Sequence, residues 1–343
     1  MEKIGIDVHK VSSQLCIQTV DGEILELRIP TTRESFKKFL GERAPARVLM
    51  EASTESEWVA RCIEALGHEV IVADPNFAPM YSTRSRKVKT DKRDARALCD
   101  ACALGAYRAS HRTSDASRDS RAHVAVREVL VQTRTKYISL ARSLLRQQGH
   151  RVPSGGAPTF GKRVLSLELP KSLCTELAPL LAMMEQLNKQ IARIDKQLER
   201  LVASSPTAER LCTTPSVGTV TAVTFVAMVD EVARFETAKQ VRAYFGLVPR
   251  EMSSGEKQHR GRITKAGNSR MRYLLVEAAW GILRYEREET RALREWALRI
   301  AVRRGKQIAA VALARKLAGI LFAMWRDGTT FGQRNLTTQA LAA

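Results

Sequence analysis

The chain has 343 residues, of which 56 are Lys or Arg and 36 are Asp or Glu, so its formal net charge is +20 at pH 7. Its hydrophobic fraction of 44% is typical of globular protein and excludes a disordered tail, and its length predicts two or three domains. Because self-repulsion of a +20 chain opposes folding, this charge disfavours an enzyme of small molecules and favours a polyanionic partner.

Neither a membrane span nor a secretory leader is expected. The most apolar stretch, residues 309–325, is interrupted by Arg315 and Lys316, and the chain begins directly with the strand-like Ile4-Gly5-Ile6. Six unevenly spaced cysteines indicate no disulfide framework and fit a reducing cytoplasm.

Residues 1–110 are predicted to form an α/β domain. A strand at residues 4–6 precedes strands at 14–20 and 23–29, which flank Asp21-Gly22, a dipeptide typical of hairpin turns. The elements expected next are helix 33–40, strand 47–50, helix 55–66, strand 68–73 and helix 91–104. Three strands with a hairpin, followed by alternating helices and strands, are the order of an RNase H-like sheet.

The middle of the chain is predicted to be helical and self-associating. Residues 111–149 form a basic helical extension, residues 150–163 a linker rich in Pro, Gly and Ser, and residues 164–204 a coiled coil for dimerisation. Sustained spacing by three and four residues favours a coiled coil, although a hairpin seam within one chain would give the same periodicity. The heptad positions are Leu177, Leu180, Met184, Leu187, Ile191, Ile194, Leu198 and Leu201.

Residues 205–330 are predicted to form a mainly helical C-terminal domain, with residues 331–343 as a tail. Within residues 211–229, Pro215-Ser216-Val217-Gly218 lies between two short helices and resembles a helix-hairpin-helix module. Further helices are expected at 237–244, 268–285 and 306–325, with a polar, Gly-rich loop at 251–267.

Four carboxylates are candidates for metal binding. Asp7 ends the first strand, Glu51 ends the strand at 47–50, and Asp91 and Asp94 share one helix face. Oxygen ligands select Mg²⁺ or Mn²⁺, which also bridge substrate phosphates. Taken singly, each carboxylate has an ordinary alternative as a cap or a surface ion pair, and the six histidines show no metal-ligand spacing.

Two basic clusters surround candidate catalytic residues. Residues 84–96 contain seven Arg or Lys against two Asp, and residues 250–272 contain seven against two Glu. The predicted phosphate contacts are Arg84, Arg86, Lys87, Lys89, Lys92, Arg93, Lys257, Arg260, Arg262, Lys265, Arg270 and Arg272. Ser253 and Ser254 lie in the second cluster, where Ser-Ser-Gly is ordinarily a flexible loop and a serine needs activation to act as a nucleophile.

These motifs, taken together and in order, resemble one family. They are Gly5-Ile6-Asp7-Val8-His9-Lys10, Met50-Glu51-Ala52-Ser53, Lys89-Thr90-Asp91-Lys92-Arg93-Asp94-Ala95 and the Ser254 loop. The chain resembles insertion-sequence transposases of the IS-one-ten type, the DEDD transposases described as bridge-RNA-guided DNA recombinases. The resemblance covers nearly the whole chain and implies a RuvC-like domain, a coiled-coil middle and a C-terminal transposase domain.

The resemblance also implies residue roles and partners. Asp7, Glu51, Asp91 and Asp94 match the four acidic positions, and Ser254 matches the nucleophile that joins DNA covalently, with Ser253 as the neighbouring alternative. The acidic cluster with Mg²⁺ and the serine come from different subunits of a homodimer or a larger homo-oligomer such as a tetramer. A structured guide (bridge) RNA pairs with donor and target DNA in the bacterial cytoplasm, at the nucleoid.

Two alternatives stay open from the residues. One is a metal-dependent nuclease resembling Holliday-junction resolvases, in which water is the nucleophile and Ser254 is only a loop residue. The other is a non-catalytic nucleic-acid-binding protein. Few aromatic residues (6%) argue against base stacking as the main mode of recognition, which fits a protein that leaves sequence reading to RNA.

Overall fold

A computed structural model describes residues 1–82, 90–251 and 260–332, the side chain of Arg260 excepted. The chain divides into two compact units, Met1–Thr113 and Ser114–Ala343. The first ends three residues beyond the predicted boundary at 110.

The first unit is built on a five-stranded mixed sheet. The strand order is β3-β2-β1-β4-β5, in which the first three strands are antiparallel and the last two run parallel to β1. This is the order of the RNase H-like sheet predicted from the sequence. Its elements are β1 (Lys3–Val8), β2 (Ser12–Gln18), β3 (Ile24–Pro30), α1 (Arg33–Leu40), β4 (Arg47–Glu51), α2 (Ser56–Glu64), β5 (Glu69–Ala73) and α3 (Asp91–Leu104).

Side chains alternate between the two faces of this sheet, and the helices divide accordingly. Ile4 and Ile6 pack in a core with Phe36 of α1 and residues of α2. Gly5 points to the other face, where an added Cβ would overlap the backbone of α3 at Ala95 and Cys99. Glycine therefore allows α3 to lie directly on β1.

Local signals explain why α3 has the predicted bounds. The hydroxyl of Thr90 accepts the N–H of Arg93, which caps the first turn. Gly105 ends the helix in the left-handed region at φ 68°.

The second unit is mainly helical and also carries a short hairpin. Its elements are α4 (Asp115–Gln147), α5 (Phe160–Leu165), α6 (Lys171–Ala203), α7 (Pro206–Cys212), α8 (Thr219–Val229), α9 (Ala238–Tyr244), β6 (Pro249–Glu251), β7 (Arg260–Ile263), α10 (Ser269–Arg284), α11 (Arg291–Arg304) and α12 (Lys306–Asp327). Helices α7 to α12 enclose one core that includes Phe225, Phe245 and Phe322. Helix α11 was not predicted, and β7 replaces part of the predicted loop at 251–267.

The heptad positions of α6 are covered by α4 of the same chain. The two helices are antiparallel, since Arg127 pairs with Asp195 at 2.5 Å and Arg134 donates to Asn188 at 2.9 Å. Leu177 is 1% exposed within the single chain and packs with side chains of α4. Within the single chain, the heptad positions of residues 164–204 therefore pack inside a hairpin, which is the alternative that the periodicity left open.

The predicted linker at 150–163 is partly helical. Residues 157–159 form a 3₁₀ turn and α5 begins at Phe160. Phe160 is fully buried beside Leu145 and Leu177, so this segment closes one end of the α4–α6 hairpin.

Helix α12 is long and apolar enough to span a membrane by length and composition. However, 67% of its most apolar window is buried within the fold, which is typical of the core helix of a globular unit.

Candidate active site

The strand register brings Asp7 and Glu51 together. Ile6 on β1 lies opposite Met50 on the parallel strand β4, so the next residue of each strand follows at the same sheet edge. Both continue the alternation of Gly5 and therefore lie on the face that α3 covers. The hydroxyl of Tyr81 donates a hydrogen bond to Glu51 Oε1.

The first turn of α3 supplies the other two carboxylates. Asp91 and Asp94 are three residues apart on one helix face, as the spacing predicts. Asp94 is buried, with 5% of its surface exposed, whereas the Asp91 side chain is 49% exposed. The carboxylates thus extend from the protein interior to solvent.

His9 is a site residue that the sequence analysis missed. Its Nε2 lies 3.1 Å from Asp7 Oδ2 and 3.6 Å from Asp91 Oδ1. One ligand atom each of Asp7, His9 and Asp91 lie within 4.8 Å of one another. The available signal was its position two residues after Asp7, which in an extended chain gives the same side.

The surroundings of Asp7 shift its pKa upward. Burial raises the pKa of Asp7, and the carboxylates of Asp94, Glu51 and Asp91 raise it further, while His9 opposes them. A divalent cation is the partner that such a group of oxygen ligands fits, because it removes their mutual repulsion.

Part of the first basic cluster belongs to the described structure. Lys92 lies 3.7 Å from Glu26 Oε2 and is largely exposed. Arg93 joins the first turn of α3 through its backbone N–H. Arg84, Arg86, Lys87 and Lys89 lie outside the described residues.

The second cluster is carried by the β6–β7 hairpin. Pro249 pairs with Ile263 and Glu251 with Arg260, whose side chain is not described. Ser253, Ser254 and Lys257 belong to residues 252–259, which lie between the two strands in the sequence and outside the described residues.

The turn after β7 is closely held. Thr264 N–H donates to Val248 O at 2.9 Å and Lys265 N–H to Gly246 O at 3.1 Å. Gly246 has φ 65°, and Lys265 adopts φ 58°, which is uncommon for a side-chain-bearing residue. The hairpin base is therefore anchored on the helical core.

Two of the predicted phosphate contacts already have partners in the fold. Arg270 pairs with Glu128 at 2.5 Å and stacks on Tyr273, and Arg272 Nη1 donates to the carbonyls of Phe245 and Gly267. Arg262 and Lys265 are exposed. The described part of this cluster therefore favours Arg262 and Lys265 for a phosphate, while Arg270 and Arg272 stabilise the surrounding fold.

Comparisons with known proteins agree over nearly the whole chain. Residues 208–295 match the model of the transposase IS116/IS110/IS902 family, and residues 4–149 match a transposase model of the DEDD IS110 type. The transposase for insertion sequence element IS1328 of Yersinia enterocolitica is 31% identical, covering 96% of this chain and 98% of that relative. A probable family 20 transposase of Pseudomonas aeruginosa is 30% identical with the same coverage. The transposase for IS1111A of Coxiella burnetii is 29% identical, covering 96% of this chain and 90% of the relative.

Proposed function

The chain belongs to the IS110-type family of DNA transposases, and from that premise we propose how its residues cut and rejoin donor and target DNA. In this proposal Ser254 is the nucleophile, and Asp7, Glu51, Asp91 and Asp94 bind the divalent metal on which DEDD transposases depend. The convergence of these four carboxylates at one edge of the RNase H-like sheet is the observation that carries it.

The carboxylates of the acidic cluster would act by holding a divalent cation in a fixed position. A bound Mg²⁺ or Mn²⁺ supplies Lewis-acid stabilisation of a phosphodiester oxygen. Asp7 and Asp94 offer oxygen ligands from the protein interior, and Asp91 extends the site towards solvent, where DNA can approach. His9, in contact with Asp7 and Asp91, positions both carboxylates.

The serine step balances without any further reactant. The Oγ of Ser254 attacks phosphorus and loses its proton, a phosphoserine ester forms, and the bond to the leaving DNA hydroxyl breaks with uptake of a proton. Attack of another DNA hydroxyl on that ester rejoins the strand and releases the serine. Exposed Arg262 and Lys265, near the base of the β6–β7 hairpin, would bind the flanking phosphates.

A guide RNA is the proposed source of sequence specificity. A net charge of +20 suits a protein that binds RNA and two DNA partners through their backbones. RNA that copurifies with the protein should be sequenced and compared with the DNA flanking the gene. RNA of unrelated origin would contradict a guide encoded by the element.

We propose a homodimer or tetramer in the bacterial cytoplasm, in which the serine of one subunit serves the acidic cluster of another. The a/d positions of α6 pack on α4, so the subunit interface has to use other surfaces. Mixing an Asp7→Asn subunit with a Ser254→Ala subunit should restore recombination that neither variant supports alone. Two inactive variants that stay inactive when mixed would contradict the shared site.

The nucleophile is tested by two adjacent serines. Ser254→Ala should abolish strand exchange and the covalent protein–DNA species seen on a denaturing gel with labelled DNA. Ser253→Ala is the matched control and should retain both. Loss confined to Ser253→Ala would move the role by one residue, and full cleavage by both variants would select water as the nucleophile, as in a Holliday-junction-type nuclease.

A non-catalytic binding protein would respond differently to loss of the carboxylates. Such a protein keeps its function in Asp7→Asn and Asp91→Asn variants, because DNA binding needs no metal-bound carboxylate. Transposition that survives both substitutions would therefore favour that alternative.

A further inference from the structure

Three cations lie where α9 meets α12: Lys316 is buried, and Arg242 and Arg315 are half-buried. We call Arg242, Arg315 and Lys316 the cation cluster. Lys316 is only 7% exposed, and its Nζ lies 4.3 Å from the ring centre of Trp296 on α11. A lysine so deeply buried normally has an anionic partner.

Arg242 reaches the same place through a gap in α12. A Cβ at Gly319 would lie 2.5 Å from Arg242 Nη2 and 2.7 Å from its Nε, so glycine makes room for the guanidinium. The Nε of Arg242 is buried without a hydrogen-bond partner. The fold thus has space for the guanidinium of Arg242, but its Nε–H donates no hydrogen bond.

The cation cluster has no counter-charge in the described part of the chain. Within residues 1–82, 90–251 and 260–332, the side chains of Arg242, Arg315 and Lys316 form no ion pair or hydrogen bond. Burial and Arg242 lower the pKa of Lys316 to about 8, and burial together with Arg315 lowers the pKa of Arg242. The cations therefore repel one another. The cation–π contact with Trp296 offsets part of the cost of burying Lys316.

We propose that the cation cluster binds a backbone phosphate of a nucleic acid. Lysine offers a compact charge and arginine a planar donor fork, a combination suited to phosphate oxygens. A groove lined by Trp296, Arg299, Ile300, Val302 and Arg303 borders the same tryptophan, and its two arginines would bind neighbouring phosphates. This contact is additional to the acidic cluster and the serine segment, and it rests on the proposed function only in naming nucleic acid as the source of the phosphate.

Binding of inorganic phosphate is the first test. The melting temperature of the full chain should rise with phosphate concentration, relative to chloride at equal ionic strength, because a ligand that binds the folded state stabilises it. Lys316→Met should remove this rise, while Lys306→Met, an exposed lysine on the same helix, should keep it. A wild-type melting temperature indifferent to phosphate, or an unchanged rise in Lys316→Met, would overturn the proposal.

Binding to labelled duplex DNA and to single-stranded RNA identifies the source of the phosphate. Lys316→Met should weaken binding and lower the slope of log affinity against log salt concentration by about one on at least one of these ligands. Gly319→Ala, which displaces Arg242 without removing a charge, should weaken binding in the same direction. A phosphate response with unchanged DNA and RNA slopes would mean a free phosphate ion and would contradict the nucleic-acid assignment.

The same measurements separate this proposal from the proposed function. Ser254→Ala should lose recombination yet keep the phosphate response and the salt slope. A salt slope lowered by about one in Lys316→Met, with intact covalent DNA attachment, would support the cation cluster independently.

Discussion

Each unit of the chain brings together side chains of like charge, which are acidic in the first unit and basic in the second. In the first unit, Asp7 is surrounded by three further carboxylates at the edge of a sheet. In the second, Lys316 lies beside Arg242 within a helical core. In each case burial shifts a pKa towards the neutral form, upward for the acid and downward for the base.

The two clusters differ in how their members are brought together. The acids come from two parallel strands and one helix, in a register that leaves Asp91 open to solvent. The cations of the cation cluster come from α9 and α12, and Gly319 leaves the space that the guanidinium of Arg242 occupies. In both arrangements like-charge repulsion opposes folding, and a divalent cation at the first and the proposed phosphate at the second would relieve it.

Removing one acid should have the largest effect. Asp7→Asn is expected to lower the recombination rate by about 10³-fold or more, because metal-ion catalysis contributes several kcal/mol to transition-state stabilisation. Asp100→Asn is the matched control, since Asp100 lies on α3 but pairs with Arg96 at 3.3 Å. The rates are measured with purified protein and DNA. Equal recombination rates for the two variants would mean that the acidic cluster does not take part in catalysis.

Separating α3 from β1 should have the next largest effect. Gly5→Ala forces a Cβ into the backbone of α3, and overpacking of this kind costs about 1–3 kcal/mol. Urea unfolding should show that loss, together with reduced recombination, because Asp91 and Asp94 move away from Asp7. Gly218→Ala meets open space at negative φ and should cost less than Gly5→Ala, the remaining cost being the preference of the α8 N-cap for glycine over alanine.

The repulsion within the acidic cluster should also make the stability of the protein depend on pH. The pKa of Asp7 is raised above its ordinary value of 3.8, so the wild type loses stability as the pH rises from that value through the raised pKa. Asp7→Asn should avoid this loss and melt higher at pH 7 in metal-free buffer, with the difference closing as the pH falls towards 3.8. A difference that is independent of pH would mean that packing, rather than charge, distinguishes the two proteins.

The cation cluster should show a pH dependence of the opposite sign. The pKa of Lys316 is lowered from 10.5 to about 8, so the unfolded state binds more protons between these values and stability gains with rising pH. In phosphate-free buffer, the melting temperature of the wild type relative to Lys316→Met should rise from pH 8 to pH 10.5. Arginine side chains stay charged in proteins over that range, so wild-type and Lys316→Met melting temperatures that change in parallel would show that Lys316 carries no buried charge.

Local patterns were enough to predict most elements of the first unit. Helix α3 has the predicted bounds because Thr90 and Gly105 are strong capping signals. The strand order followed from the hairpin at Asp21-Gly22 and the alternation of helices and strands behind it. The acidic cluster could be predicted because strand ends and a helix face are local properties of the sequence.

Other features needed contacts between distant residues. Helix α11 is rich in arginine and was missed, and β7 forms only through pairing with β6. His9 has no metal-ligand spacing along the chain, yet α3 brings Asp91 within 3.6 Å of it. The heptads of α6 could not reveal their partner, because periodicity describes one helix only.

The amino-acid sequence by itself determined the charge of the chain, the RNase H-like order of its first unit and the four carboxylates, since each is a local or compositional property. Only the tertiary structure decided that α4 covers α6 and that Lys316, which interrupts an apolar stretch in the sequence, is buried beside Arg242 and Trp296. The physical reason is that burial and like-charge proximity depend on which helices pack together, and packing is decided by the whole core rather than by any one segment.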